Sequence, residues 1–174
     1  MSIIIAFWLL LIPDAKDVEA LRASAPTYLT AETAGVHRTA AQAAAVFYDL
    51  DPALLLAIAY RESRYTVTAI GPAVRGKVAC GVMQPLMWKA CGTQTLLAGY
   101  MEGAEHLRTW LDTKTCRGDL HCAMLGYAGG YSLLRACATG PVMVERSSRM
   151  VDLCTIPDVT FARARRVRGR SVGT

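Results

Sequence analysis

Asp51-Pro52-Ala53-Leu54-Leu55-Leu56-Ala57-Ile58-Ala59-Tyr60-Arg61-Glu62-Ser63 is the stretch on which the reading of this chain rests. Asp51 suits a helix N-cap, because its carboxylate accepts hydrogen bonds from first-turn N–H groups, and Pro52 loses nothing at the first helical position. The run therefore predicts a helix that ends at Ser63. At 3.6 residues per turn, Leu55, Ile58 and Glu62 fall on one face. A carboxyl group that follows core residues inward loses solvation, which disfavours its ionised form and moves it toward the range of a general acid. The competing reading is a solvated Glu at a fraying helix end, the commoner fate of such a residue taken alone.

The order of the segments downstream weighs against that reading. Arg61-Glu62-Ser63-Arg64-Tyr65 is followed by Gly81-Val82-Met83-Gln84, by Gly103-Ala104-Glu105-His106-Leu107-Arg108-Thr109-Trp110-Leu111, and by Leu125-Gly126-Tyr127-Ala128-Gly129-Gly130. Each is weak alone. Together, over residues 49–154, they resemble the soluble lytic transglycosylases, peptidoglycan-cleaving enzymes with a helix ending in Glu-Ser, a Gly-Leu-Met-Gln loop and an Ala-Tyr-Asn-Ala-Gly stretch. The resemblance implies a mainly α, lysozyme-like fold of the goose-type and lytic transglycosylase kind, with a short irregular or β-like excursion beside the cleft.

It also implies roles. Glycoside cleavage ordinarily takes two carboxyl groups, and neither Asp112, Asp119, Glu102 nor Glu105 stands in a spacing that singles it out as the second. The family works with one Glu, here Glu62, as acid and then base, and leaves a 1,6-anhydromuramic acid end. Ser63 becomes its hydrogen-bonding neighbour, Met83 and Gln84 flank the sugar cleft, and Tyr127 orients Glu62 or the acetamido group. Each has a plainer alternative: Met83 and Tyr127 as packed core, Ser63 bonded to a helix carbonyl. Two positions depart from the pattern. Ala128 stands where the family has Asn and so lacks a side-chain amide, and Pro85 follows Gln84. A hydrolytic muramidase of goose type and a catalytically silent wall-binding or assembly module are the readings from other classes. The partners implied are peptidoglycan strands and a secretion, conjugation, pilus or phage assembly; nothing speaks to oligomeric state.

Composition bounds the rest. The 174 residues form one domain with flanks. They are 53% hydrophobic with a mean hydropathy of +0.27, yet the longest apolar run, Ile3 to Ile12, is too short to span a bilayer as a helix. It fits a signal-peptide core or an interfacial anchor, though no Lys or Arg precedes it and no Ala-x-Ala follows. Six cysteines support export to an oxidising compartment. Of fifteen possible pairings, sequence neighbours suggest Cys80 with Cys91, Cys116 with Cys122 and Cys137 with Cys154. The cysteines and His37, His106 and His121 show no zinc spacing. No nucleotide, flavin or haem motif occurs, so no cofactor or metal is expected.

Three regions follow: an apolar leader or anchor with linker at 1–29, the domain at 30–156, and a basic tail at 157–174. The net charge of +5 comes wholly from Arg163, Arg165, Arg166, Arg168 and Arg170. The tail is expected to be disordered and free to contact an anionic wall, a membrane surface or nucleic acid. Within the domain, helices are expected at Thr30–Tyr48, at Leu86–Cys91, at Gly99–Leu111, at Leu120–Tyr127 behind an Asp119 cap, at Leu133–Ala138 behind Ser132, and from Gly140-Pro141 through Leu153. The Thr/Val/Gly/Pro mixture of Thr66–Ala79 forbids a long helix and suggests a short β-like excursion.

Overall fold

The computed structural model describes residues 31–74, 76–87, 91, 94–146 and 149–169. The expected leader, its linker and the last five residues lie outside them. Five helices and two small antiparallel sheets make a mainly helical fold among the described residues. In chain order these are α1 (Ala31–Tyr48), α2 (Pro52–Ser63), strands β1 (Ile70–Val74), β2 (Lys77–Cys80) and β3 (Leu86–Met87), α3 (Leu96–Leu111), α4 (Leu120–Thr139), the hairpin β4 (Met143–Arg146) and β5 (Arg149–Asp152), and α5 (Ile156–Gly169). None of the described helices is long and apolar enough to cross a membrane.

Helix α2 is the centre. Asp51 caps it by accepting from Ala53 N at 3.0 Å, and every residue from Ala53 to Ala59 is buried. A helix buried on all sides needs neighbours on all sides. Alanines of α1, among them Ala41, Ala44 and Ala45, are small enough to bring that helix close, while Leu107 and Leu111 of α3 belong to the same core. His37 of α1 shares a hydrogen bond of 3.1 Å with the Tyr100 hydroxyl of α3. This is how a polar pair is tolerated inside. Burial lowers the His37 pKa from 6.5 to about 4, so the ring is neutral there.

The remaining side of α2 is covered by α5, and here the sequence expectation is corrected. Residues 157–169 are helical and not a loose tail. Pro157, Thr160, Ala164 and Val167 are buried along one stripe, a helical period hidden beneath the arginines. Arg168 pairs with Asp51 at the start of α2, and Thr160 accepts from Arg61 Nη1 at 3.3 Å at its end. The two helices therefore run antiparallel. Arg163 and Arg64 both stack on Tyr60, with guanidinium carbons 3.7 and 4.2 Å from the ring centroid, so part of the positive charge joins the domain through cation–π contact.

Three other expectations change. Residues 143–146 and 149–152, expected as helix, pair as strands β4 and β5, with Val144 opposite Val151 and Glu145 opposite Met150. Leu86 and Met87 pair with Ala79 and Val78 as a third strand where a short helix was expected. The helix from Leu120 does not stop at Tyr127: helical residues resume beyond a break at Gly130, whose φ of 65° only glycine adopts easily, and Ser132 lies inside the second half. Asp119 does cap the first half, accepting from Cys122 N at 2.8 Å. Disulfides join Cys80 to Cys91, Cys116 to Cys122 and Cys137 to Cys154. The first clips the three-stranded arm, and the last ties α4 to the segment entering α5.

Candidate active site

The site forms where α2 ends. Arg64 and Tyr65 both turn left-handed, with φ of 55° and 66°, a conformation that halts a helix but disfavours side chains larger than glycine. The buried ring of Tyr65 against His37, at 5.0 Å between centroids, helps hold that turn. Glu62 thus sits in the last turn, one face round from Arg61 and directly above Leu55 and Ile58 of the core. Its side chain is 25% exposed. It is neither sealed in nor open to bulk water.

Ser63 fixes the next loop. Its hydroxyl lies 2.7 Å from Val82 O and 3.1 Å from Ala59 O, and it accepts from Thr66 N at 3.1 Å. Its bonds run to the loop and the helix backbone, so its part is to tie Val82 to the end of α2. Met83 is wholly buried. A Cβ on Gly103 would stand 2.5 Å from the Met83 Cβ, so the missing side chain at Gly103 is what lets α3 approach the loop.

Tyr127, on α4, is buried and donates from its hydroxyl to Met83 O at 2.6 Å. The hydroxyl expected to orient Glu62 or the acetamido group is thus hydrogen-bonded to a backbone carbonyl. Burial holds the Tyr127 hydroxyl well above its usual pKa, and the nearby negative charge of Glu62 adds to that. Met83 likewise presents its carbonyl to Tyr127 while its side chain fills the core, in place of the cleft-flanking side chain expected. Gln84 turns inward: from a left-handed backbone with φ of 54°, its amide donates to Ala69 O at 2.9 Å and to Gly81 O at 2.7 Å. It pins the start of the strand arm to the loop.

Glu62, Ser63, Tyr127 and the backbone of Val82 and Met83 are therefore brought together, while the side chains of Met83 and Gln84 serve to build the loop. A cleft of about 360 Å³ is lined by Ala128, Gly129, Ser132, Leu133, Val142 and Ile156, and by neither Glu62 nor Tyr127. A second, of about 250 Å³, lies at the loop, with Val67, Ala69, Gly81 and Gln94 in its walls. Ala128 and Gly129 put no side chain larger than methyl into the first.

Two residues were missed. Arg61 Nε donates to Glu62 Oε1 at 2.9 Å, its Nη2 pairs with the same oxygen, and Nη1 reaches Thr160. Consecutive helical residues ordinarily point apart, so adjacency gave no hint; the end of the helix leaves room for the guanidinium to fold back. His106 of α3 lays its ring against that of Tyr127 with centroids 5.1 Å apart. Its sequence signal was a polar residue in the buried stripe of Gly103, Ala104 and Leu107. Among the described residues no cluster of His, Cys, Asp or Glu has the makings of a metal site. Comparisons with protein-family models, with curated proteins and with solved structures give no match to this chain.

Proposed function

We propose that the protein cleaves the β-1,4 bond between N-acetylmuramic acid and N-acetylglucosamine in peptidoglycan without water, as a lytic transglycosylase does. The observation that carries this reading is Glu62 itself: three-quarters shielded, at the rim of a rigid helix, beside Tyr127 and the Ser63–Val82 tie. Among the described residues, the hydrogen-bonded partner of its carboxylate is Arg61 and not a second carboxyl group. The Glu62 carboxyl gives its proton to the glycosidic oxygen as the C1–O bond breaks, and the oxygen leaves as the hydroxyl of the departing sugar. The resulting carboxylate then takes the proton of the C6 hydroxyl as O6 bonds to C1, closing a 1,6-anhydro ring. The acetamido group of the substrate stabilises the intermediate.

Arg61 sets a condition. Its guanidinium occupies Glu62 Oε1 with two N–H groups, so an incoming glycan has to draw Arg61 away to reach that oxygen. The same ion pair is the observation that favours the silent wall-binding reading, in which Glu62 is permanently engaged. The three disulfides support work in an oxidising compartment of the envelope, alongside a secretion, conjugation, pilus or phage assembly.

Oxidised protein incubated with sacculi, followed by mass spectrometry of the soluble fragments, tests the proposal. Anhydro-muropeptides are expected, with a drop of at least about a hundredfold in Glu62→Gln. Reducing ends instead of anhydro ends identify the hydrolytic muramidase. Binding without fragments from either form identifies the silent module.

A further inference from the structure

Arg61 joins the candidate acid to the last helix. On one side its Nε and Nη2 both donate to Glu62 Oε1, and on the other its Nη1 donates to Thr160 Oγ1 of α5 at 3.3 Å. Thr160 is only 2% exposed. Its own hydroxyl proton goes to Ile156 O at 2.8 Å, so towards Arg61 that oxygen acts as an acceptor and nothing else. The seam between the two helices is fixed at this point by a further contact: the guanidinium carbons of Arg163 from α5 and of Arg64 from the end of α2 lie 3.7 and 4.2 Å from the centroid of the Tyr60 ring. Thr160 is thus held in register with Arg61.

A guanidinium is planar and presents its donors in a fixed fork, so bonds on both of its edges set its plane as well as its place. In that plane it covers Glu62 Oε1. Among the described residues the hydrogen bonds to this carboxylate fall on Oε1 alone. Arg61 and Glu62 are neighbours in sequence and meet without help from elsewhere, whereas Thr160 comes from 99 residues further on. What Thr160 adds is the firmness of the closure.

We propose that Thr160 is a positioning residue of the Glu62 site, the fixed end of a latch whose moving part is Arg61. While the buried hydroxyl holds Nη1, the guanidinium stays across Glu62 Oε1, and a glycan gains that oxygen only when Arg61 releases both partners. This rests on the glycan-cleavage reading above. It makes α5 a regulator of the site as well as a wall of the core.

Nitrogen NMR of the Arg61 side chain in glycan-free protein reads the latch directly, the signals being assigned by their loss in Arg61→Lys. In the parent, rotation about the Nε–Cζ bond is expected to be slow, with separate Nη signals. Thr160→Val keeps the branched shape and removes the acceptor; it is expected to speed that rotation by about two- to tenfold, the range that one hydrogen bond spans. Thr160→Ser, which keeps the hydroxyl, is expected to rotate as slowly as the parent. Turnover of soluble muramic-acid glycan gives the second readout. Thr160→Val and Arg61→Lys, in which a single ammonium cannot bridge both partners as the fork does, are each expected to raise kcat/KM by about the same two- to tenfold; a change that merely loosened α5 would lower it. Free rotation of Arg61 in the parent overturns the proposal, as does rotation unchanged in Thr160→Val, or a kcat/KM in an active protein that neither variant raises. Should Thr160→Val fail to fold, the parent spectrum and Arg61→Lys still decide the matter. The two proposals fail separately. Slow rotation released by Thr160→Val, with no anhydro products from the parent protein, sinks the catalysis and keeps the latch; anhydro products from a protein whose Arg61 rotates freely do the reverse.

Discussion

The α1–α2–α3 core and the strand-bearing flanks are held together by different means. In the core, Leu55, Ile58 and Leu107 are out of contact with water, and the polar pair His37–Tyr100 is satisfied internally. In the flanks, two-residue β3 and the β4–β5 hairpin expose Leu86, Met143, Met150 and Val151, and disulfides at Cys80–Cys91 and Cys137–Cys154 do what burial does elsewhere. Glu62 stands at the seam. Its backbone belongs to the stiff core, while the Val82–Met83 loop that faces it is held twice, by burial of both side chains in that core and by the Cys80–Cys91 bridge around it.

Substitutions that act on one side only break the comparison most clearly. Leu55→Ala leaves a void in a fully buried helix and is expected to cost about 2–5 kcal/mol, read as a lower denaturant midpoint for the whole domain. A smaller effect tests the polar heart of the core. His37 binds a proton more weakly folded, at about 4, than unfolded, near 6.5. Its contribution is therefore intact above pH 6.5 and is lost as pH falls toward 4, by about 3 kcal/mol in total. Unfolding free energies measured between pH 7 and 4 are expected to show that slope, and His37→Gln to flatten it.

Removing the Cys80–Cys91 bridge with a double Ser substitution is expected to cost about 2–3 kcal/mol, because the loop it closes is short. Faster proteolysis confined to residues 70–94 would show that the flank opens before the core. The smallest effect separates the two duties of Asp51. Arg168→Ala removes an exposed ion pair, worth at most about 1 kcal/mol and less in salt. Asp51→Ala also removes the α2 cap, for about 0.5–2 kcal/mol, so the difference in midpoint between these variants measures the cap.

The same division governs what was legible in the sequence. Helices α1, α2 and α3 follow from small or apolar residues at helical spacing and from side chains that cap, and the structure shifts their starts by only a few residues. The hairpin did not, because Gly140-Pro141 fits a helix start equally well. The mirrored order Met143-Val144-Glu145-Arg146 and Arg149-Met150-Val151-Asp152 about Ser147-Ser148 was the available signal, and β-branched Val144 faces Val151 as a hairpin requires. The arginine segment was read by charge alone; its period of Thr160, Ala164 and Val167 was the overlooked evidence for a docked helix. At the site, Glu62, Ser63 and Tyr127 were singled out from their motifs. The use of Tyr127 on a carbonyl and the Arg61 pairing were not, since both depend on where a helix end lets side chains fold.

Docking of α5 along the full length of α2 also orders the life of the molecule. The helix bearing Glu62 has its final wall only once residues 156–169 have been made, so a nascent form without them holds its acidic residue in an unfinished frame. A protease that clips within residues 156–169 would remove that wall.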